Sequence, residues 1–264
     1  MNPVTLAFEA LAALCVLFVL VYVMARIIDN FGIVDIAWSY SFIVIAVIYA
    51  GLGAGWPIRR ALVATMATLW ALRLGTHLLV RIARKHPEED GRYRQLRKDW
   101  GSVFMVKMAG FFQLQALSVV LLGYPFLASC SNPAVGVKPL EWAGCVLWLI
   151  AISGEALSDA QLSWFKKSPA NRGNVCDVGL WRYSRHPNYF FEWLIWVSYF
   201  LFASASNWGW VSILSPACIL FLLLRVTGIP ATEEQSVRSK GDLYRRYQER
   251  TSAFVPLPPK KSRA

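Results

Sequence analysis

The sequence predicts an all-α polytopic membrane bundle of about seven transmembrane helices, and three observations carry that prediction. Of its 264 residues, 56% are hydrophobic and 16% charged, whereas soluble domains are roughly 45–50% apolar and about 25% charged. Apolar stretches long enough to cross a bilayer, about 20 residues each, recur along nearly the whole chain. Lys and Arg gather in the gaps between those stretches and in the C-terminal tail, the distribution that encodes orientation in membranes.

Spans are read at about 4–25, 33–54, 61–80, 103–128, 140–164, 188–206 and 208–228. The first starts almost at Met1, has no basic segment before it and carries Glu9, so it reads as a retained span and not as a cleavable leader. Lys107, near the start of the fourth, can snorkel to the surface. Only Ser206 and Asn207 separate the sixth from the seventh, which leaves a tight helical hairpin and a single broken segment both open. No soluble domain of ordinary size fits between the spans, so 1–264 reads as one membrane domain.

With seven spans and an external N-terminus, segments 81–101, 165–187 and 229–264 all face the cytoplasm, as the positive-inside rule asks. A bacterial inner membrane or the endoplasmic reticulum satisfies that orientation. Arg59 and Arg60 are the exception and read as residues snorkelling at a helix end. The net charge of +11 is explained by topology and is compatible with an anionic cofactor; a nucleic-acid partner is not expected. The five cysteines lack a C-x-x-C pair or nearby histidines, so neither a metal site nor a disulfide framework is expected.

Ionisable residues inside apolar spans are costly, and by default they mark a functional interior or a paired anchor. Asp35 lies in FGIVDIAWSY. Arg73 and His77, Glu155 and Asp159, and Asn188 and Glu192 are each four apart, which puts each pair on one helical face. Asp35 and Arg73 read either as an ion pair joining two helices or as functional groups.

The richest stretch is GLWRYSRHPNYFFEWLIW, residues 179–196. Pro187 suits the first turn of a helix, where its missing N–H costs nothing. The N-terminus of that helix, flanked by Arg182, Arg185 and His186, has the makings of an anion site for phosphate or pyrophosphate. One turn deeper, Asn188 and Glu192 can hydrogen-bond an amide. The loop at 84–101 mixes acids and bases and reads as a solvated helix.

At these residues the chain resembles the steroid 5α-reductase superfamily. The resemblance is best from Glu155 through Glu192, with Asp159, Lys166, Lys167, Tyr183, Asn188 and Glu192 at family spacing, and again in the ending DLYRRYQERTSAFVP. It implies NADPH bound at the cytoplasmic side by helices, loops and tail of 140–264, and a lipophilic substrate enclosed by the helices of 1–128. Carried over, Asn188 and Glu192 hold the nicotinamide end, while Asp159, Lys166, Tyr183 and Arg185, with His186 and Tyr244 nearby, shape the adenosine and phosphate end. The implied reaction is reduction of a carbon–carbon double bond conjugated to a carbonyl. Asp35, with Arg73 and Trp38, is the implied polarising cluster, Asp35 acting as a protonated carboxyl. Trp70 stands before Arg73 where the family has a proton-donating tyrosine, and an indole N–H cannot replace that group.

The Arg-His-Pro-x-Tyr core, with Glu233 and Glu234 ahead of a Tyr-x-x-Tyr tail, also resembles the isoprenylcysteine and phospholipid methyltransferases, which use S-adenosylmethionine. A transporter would suit the intramembrane charges too, although no inverted repeat is visible in the sequence.

Overall fold

A computed structural model describes residues 1–85 and 87–260, and among them there is no named β-strand. The helices are α1 (Pro3–Ile27), α2 (Ile33–Leu52), α3 (Pro57–Lys85), α4 (Gly91–Trp100), α5 (Phe104–Leu122), α6 (Tyr124–Cys130), α7 (Pro139–Lys167), α8 (Pro187–Ala203), α9 (Leu214–Phe221), α10 (Ile229–Lys240) and α11 (Asp242–Arg250). Among the described residues six helical stretches are long and apolar enough to cross a membrane; α8, also apolar, has 17 residues. The chain is an all-α polytopic bundle.

Two boundaries differ from the sequence reading. The fourth span breaks into α5 and α6 at Gly123, because Pro125 cannot donate an N–H to a continuing helix. The sixth and seventh are separate helices: α8 ends at Ala203, and a turn over 204–208 and a 3-10 helix over Gly209–Ile213 precede α9.

The chain forms two compact units, Met1–Lys138 with Ala203–Trp210, and Pro139–Phe202 with the chain from Val211 onward. In the first, α2 carries the central packing. Phe42 stacks edge-on against Trp38 at 4.9 Å and Trp70 at 5.1 Å, and Trp38 Nε1 donates to Ser118 Oγ at 2.9 Å. A second aromatic cluster joins Tyr22, Phe31, Phe104 and Phe112. The Arg97 guanidinium lies over both Phe31 and Phe104, which seats α4 on the corner between α1 and α2.

Arg59 and Arg60 do not snorkel. Arg59 is fully buried, and its guanidinium donates to the carbonyls of Asn132 at 2.9 Å, Ala134 at 2.5 Å and Gly136 at 2.8 Å. Arg60 donates to Ala50 O at 2.8 Å and Gly53 O at 2.7 Å, closing the end of α2. Helix ends leave carbonyls without intrahelical partners; Arg60 serves two at the end of α2, while Arg59 serves three in the loop between α6 and α7.

In the second unit α7 and α8 run antiparallel in close contact. A Cβ on Gly154 would fall 2.4 Å from the Phe191 ring, and one on Gly144 would fall 2.8 Å from the Ser198 carbonyl. Glycine at these positions lets the two backbones approach.

Candidate functional site

The antiparallel register of α7 and α8 builds a ladder of polar rungs. Asn188 Nδ2 donates to Asp159 Oδ1 at 3.3 Å. Further along, Trp148 Nε1 donates to the Tyr199 hydroxyl at 3.1 Å. One turn from Asp159 toward Trp148 lies Glu155, and one turn from Asn188 toward Tyr199 lies Glu192, so the register sets these two carboxyls opposite each other. Both act electrostatically on the Tyr199 hydroxyl, which is fully buried. Trp196 Nε1 donates to Glu192 Oε1 at 2.9 Å. The structure therefore brings Asp159, Asn188 and Glu192 together, as a spacing of four on each helix requires.

Two atoms beside the ladder are open. Asn188 Oδ1 and Trp193 Nε1 are buried and have no hydrogen-bond partner among the described residues. A buried polar atom left unpaired costs about 1–3 kcal/mol, so Asn188 Oδ1 is a natural acceptor for a ligand N–H.

At the start of α8, the segment around Tyr183 to His186 is strapped by the C-terminal tail. Arg185 N donates to Ser252 O at 2.8 Å, Ser184 Oγ to Phe254 O at 2.7 Å, and Leu257 N to Tyr183 O at 3.0 Å. The Arg185 guanidinium donates to Glu233 Oε1 at 2.6 Å, Gln248 O at 2.9 Å and Thr251 O at 2.5 Å. His186 Nε2 lies 3.3 Å from the same Glu233 oxygen, and its ring stacks on Tyr189. Gln248 Nε2 holds the other Glu233 oxygen at 2.9 Å. Arg185 and His186, expected at the phosphate end of a cofactor, thus share Glu233 of α10, and Arg185 also bonds the end of α11. Tyr244 is buried alongside; burial, and then the Glu233 charge, push its phenol up to about 12. Pro187 opens α8 as its residue type suggests. Lys166 and Arg182 are exposed, and Tyr183 is 44% exposed.

The first unit has its own polar cluster. Asp35 Oδ2 accepts from Arg92 Nη2 at 2.7 Å, and Asp35 Oδ1 accepts from the Tyr93 hydroxyl at 2.8 Å. These are the Asp35 carboxylate's partners, in place of the expected Arg73. Both oxygens of Asp35, the residue expected to act as the acid, thus accept from side chains of α4. Asp90 caps α4, accepting from Arg92 N at 3.0 Å. Burial alone would raise its carboxyl, but the Arg92 amide and guanidinium, with Arg81, outweigh this and hold it below the usual range. Trp38 and Trp70 are joined through Phe42 in the aromatic core, and Trp70 is fully buried.

Glu233 was noted only ahead of the Tyr-x-x-Tyr tail, and Tyr93, Trp148 and Tyr199 were not singled out by sequence reasoning. A signal existed for the last two: Trp148 lies seven residues before Glu155 and Tyr199 seven after Glu192, two helical turns along the same faces. Tyr93 and Glu233 meet their partners only through tertiary folding. Among the described residues no group of three or more His, Cys, Asp or Glu could hold a metal ion.

The "Uncharacterized protein C594.04c" of Schizosaccharomyces pombe is 27% identical over 259 residues, covering 85% of this chain and 70% of that protein. No solved structure matches. A family described as "Protein of unknown function (DUF1295)" matches residues 21–251, most of both units, and the chain belongs to that family.

Proposed function

We propose that this chain is a membrane-embedded, NADPH-dependent reductase of a carbon–carbon double bond conjugated to a carbonyl in a steroid-like or other lipophilic substrate. The observation that carries the reading is the state of Asn188. Its Nδ2 is committed to Asp159 while its Oδ1 is buried and open. A carboxamide held this way accepts one more N–H, the complement of the carboxamide on a nicotinamide. Glu192, one turn further along and steadied by Trp196, supplies a second acceptor. The residues present therefore fit the cofactor's reactive end. Lys166, exposed on the last turn of α7, is suited to its phosphates.

The cofactor, when bound, supplies a hydride; the remaining work falls to side chains. In the cluster at the start of α2, Arg92 pairs with Asp35, and Asp35 in turn accepts from the Tyr93 hydroxyl. The Tyr93 phenol is the group there with a transferable proton, a role neither Trp38 nor Trp70 can fill. The C-terminus faces the cytoplasm in this reading, since the basic segments adjoin the cofactor end.

Nucleotide retained by the detergent-purified chain tests the proposal. NADP(H) released on denaturation, with enone-dependent oxidation of NADPH, is the expected result. Retained S-adenosylmethionine without NADP(H) would overturn it in favour of a methyltransferase.

A further inference from the structure

The second unit carries a cleft built from residues other than those of the ladder. It occupies about 1170 Å³ between the end of α7, the segment at 171–178, α11 and the tail. Asn171, Asn174, Arg246, Arg250 and Lys260 supply its polar wall. A second groove of about 370 Å³ runs along the last turns of α7, lined by Gln161, Trp164 and Gly179 together with Phe165, Asn171 and Val178. Those last three residues line the cleft as well. The two adjoin at those residues, an apolar arm beside a polar basin.

Their depth can be read from α7. Trp164 is 64% exposed, and Lys166 and Lys167 follow it, both exposed. An aromatic followed by lysines is the order in which a helix leaves hydrocarbon for the headgroup layer. The arm along Trp164 thus opens at the edge of the acyl region, and the basin beyond the helix end lies among headgroups.

The charge of the basin is positive. Arg246, Arg250 and Lys260 outnumber Asp177 and Glu249 in its wall, and Asp177 is already paired with Arg250. Arg246 is exposed on the outer face of α11, whose inner face buries Tyr244 and Tyr247.

We infer that this arm and basin together bind an anionic phospholipid, with the headgroup phosphate among Arg246, Lys260, Asn171 and Asn174 and an acyl chain along Trp164 and Phe165. A water-soluble phosphate ligand would leave the apolar arm unfilled, and a zwitterionic lipid would bring no net charge to the excess of cations. A lipid with both features satisfies both parts.

The test uses the full chain in detergent with phosphatidylglycerol carrying a fluorophore on its acyl chain, compared with phosphatidylcholine of the same chains. Phosphatidylglycerol is expected to bind about tenfold more tightly, and Arg246→Ala to weaken it about fivefold, one cation's share. Trp164→Ala should weaken both lipids while the melting temperature stays at the wild-type value. Equal binding of the two lipids would overturn the inference, as would wild-type binding by a folded Arg246→Glu protein. Displacement by inorganic phosphate or NADPH would also overturn it, since the basin would then belong to a soluble ligand. If NADPH fails to bind while phosphatidylglycerol selectivity persists, the reductase reading falls and this one stands.

Discussion

Trp148 donates its indole N–H to the Tyr199 hydroxyl at 3.1 Å, and with Asn188 on Asp159 that bond pins α7 to α8 at two levels. Sliding either helix by one turn, about 5.4 Å, would break both bonds and part Glu155 from Glu192. Close backbone approach at Gly144 and Gly154 makes the register possible. The polar rungs select it from the alternatives that an apolar seam alone would allow.

The first prediction tests that register through coupling. Trp148→Phe and Tyr199→Phe should each lower stability, and the double variant should lose less than the two losses combined, with a coupling of about 0.5 kcal/mol or more. Melting of the four proteins in one detergent gives the cycle. Strict additivity would mean the indole–phenol bond does not set the packing.

A second prediction concerns Arg59, which holds three loop carbonyls from a fully buried position. Lysine offers a point charge in place of a planar fork, so Arg59→Lys should remain clearly less stable than wild type. Each carbonyl left unserved costs about 1–3 kcal/mol. A melting temperature equal to wild type for Arg59→Lys would show that charge alone suffices.

These cases mark how far the sequence could be read. The membrane class followed from composition and span length, because burying apolar helices in lipid is a property of local stretches. The α7 and α8 rungs followed from spacing: Glu155 and Asp159 share one helical face, Asn188 and Glu192 another. What stayed hidden depends on which distant groups meet. Arg185 has the sequence context of an anion reader, yet Glu233 and the carbonyls of Gln248 and Thr251 occupy it. Asp35 has the context of a partner for Arg73, yet α4 folds back to put Arg92 and Tyr93 on it. Arg59 and Arg60 looked like topological exceptions because their carbonyl acceptors, in the loop at 132–136 and at the end of α2, meet them only once the chain is folded.

The third prediction follows from the tail. Ser252, Phe254 and Leu257 are bonded to Arg185, Ser184 and Tyr183, and the Phe254 ring packs on Phe190 and Trp193. A chain ending at Thr251 should show faster amide exchange at Arg185, which loses its acceptor, and along the first turn of α8. The helices of the first unit should exchange as before. Unchanged protection at Arg185 would mean that the tail rests on the segment without holding it.

The last prediction separates binding from chemistry by pairing Asn188 with Tyr93. Asn188→Ala removes the open Oδ1 and leaves Asp159 without its Nδ2 donor, so NADPH affinity should fall about tenfold, the loss of a hydrogen bond of about 1.4 kcal/mol. Tyr93→Phe keeps the ring and its edge contact with Phe111 but removes the O–H from Asp35 Oδ1. NADPH affinity should then stay within about twofold of wild type, because Tyr93 lies in the first unit and Asn188 in the second. Single-turnover oxidation of bound NADPH by an enone should slow by roughly 10²–10⁴, the usual contribution of a general acid. A purely structural role for Tyr93 predicts another outcome: removing one donor from a carboxylate still held by Arg92 lowers the melting temperature, and turnover recovers fully on cooling. Asp35→Asn distinguishes the two further. It breaks the pairing with Arg92 and loosens the phenol without deleting it, so a proton-donating Tyr93 should leave this variant faster than Tyr93→Phe. If Asp35→Asn is slower than Tyr93→Phe at equal stability, the proton comes from elsewhere and the assignment to Tyr93 is wrong.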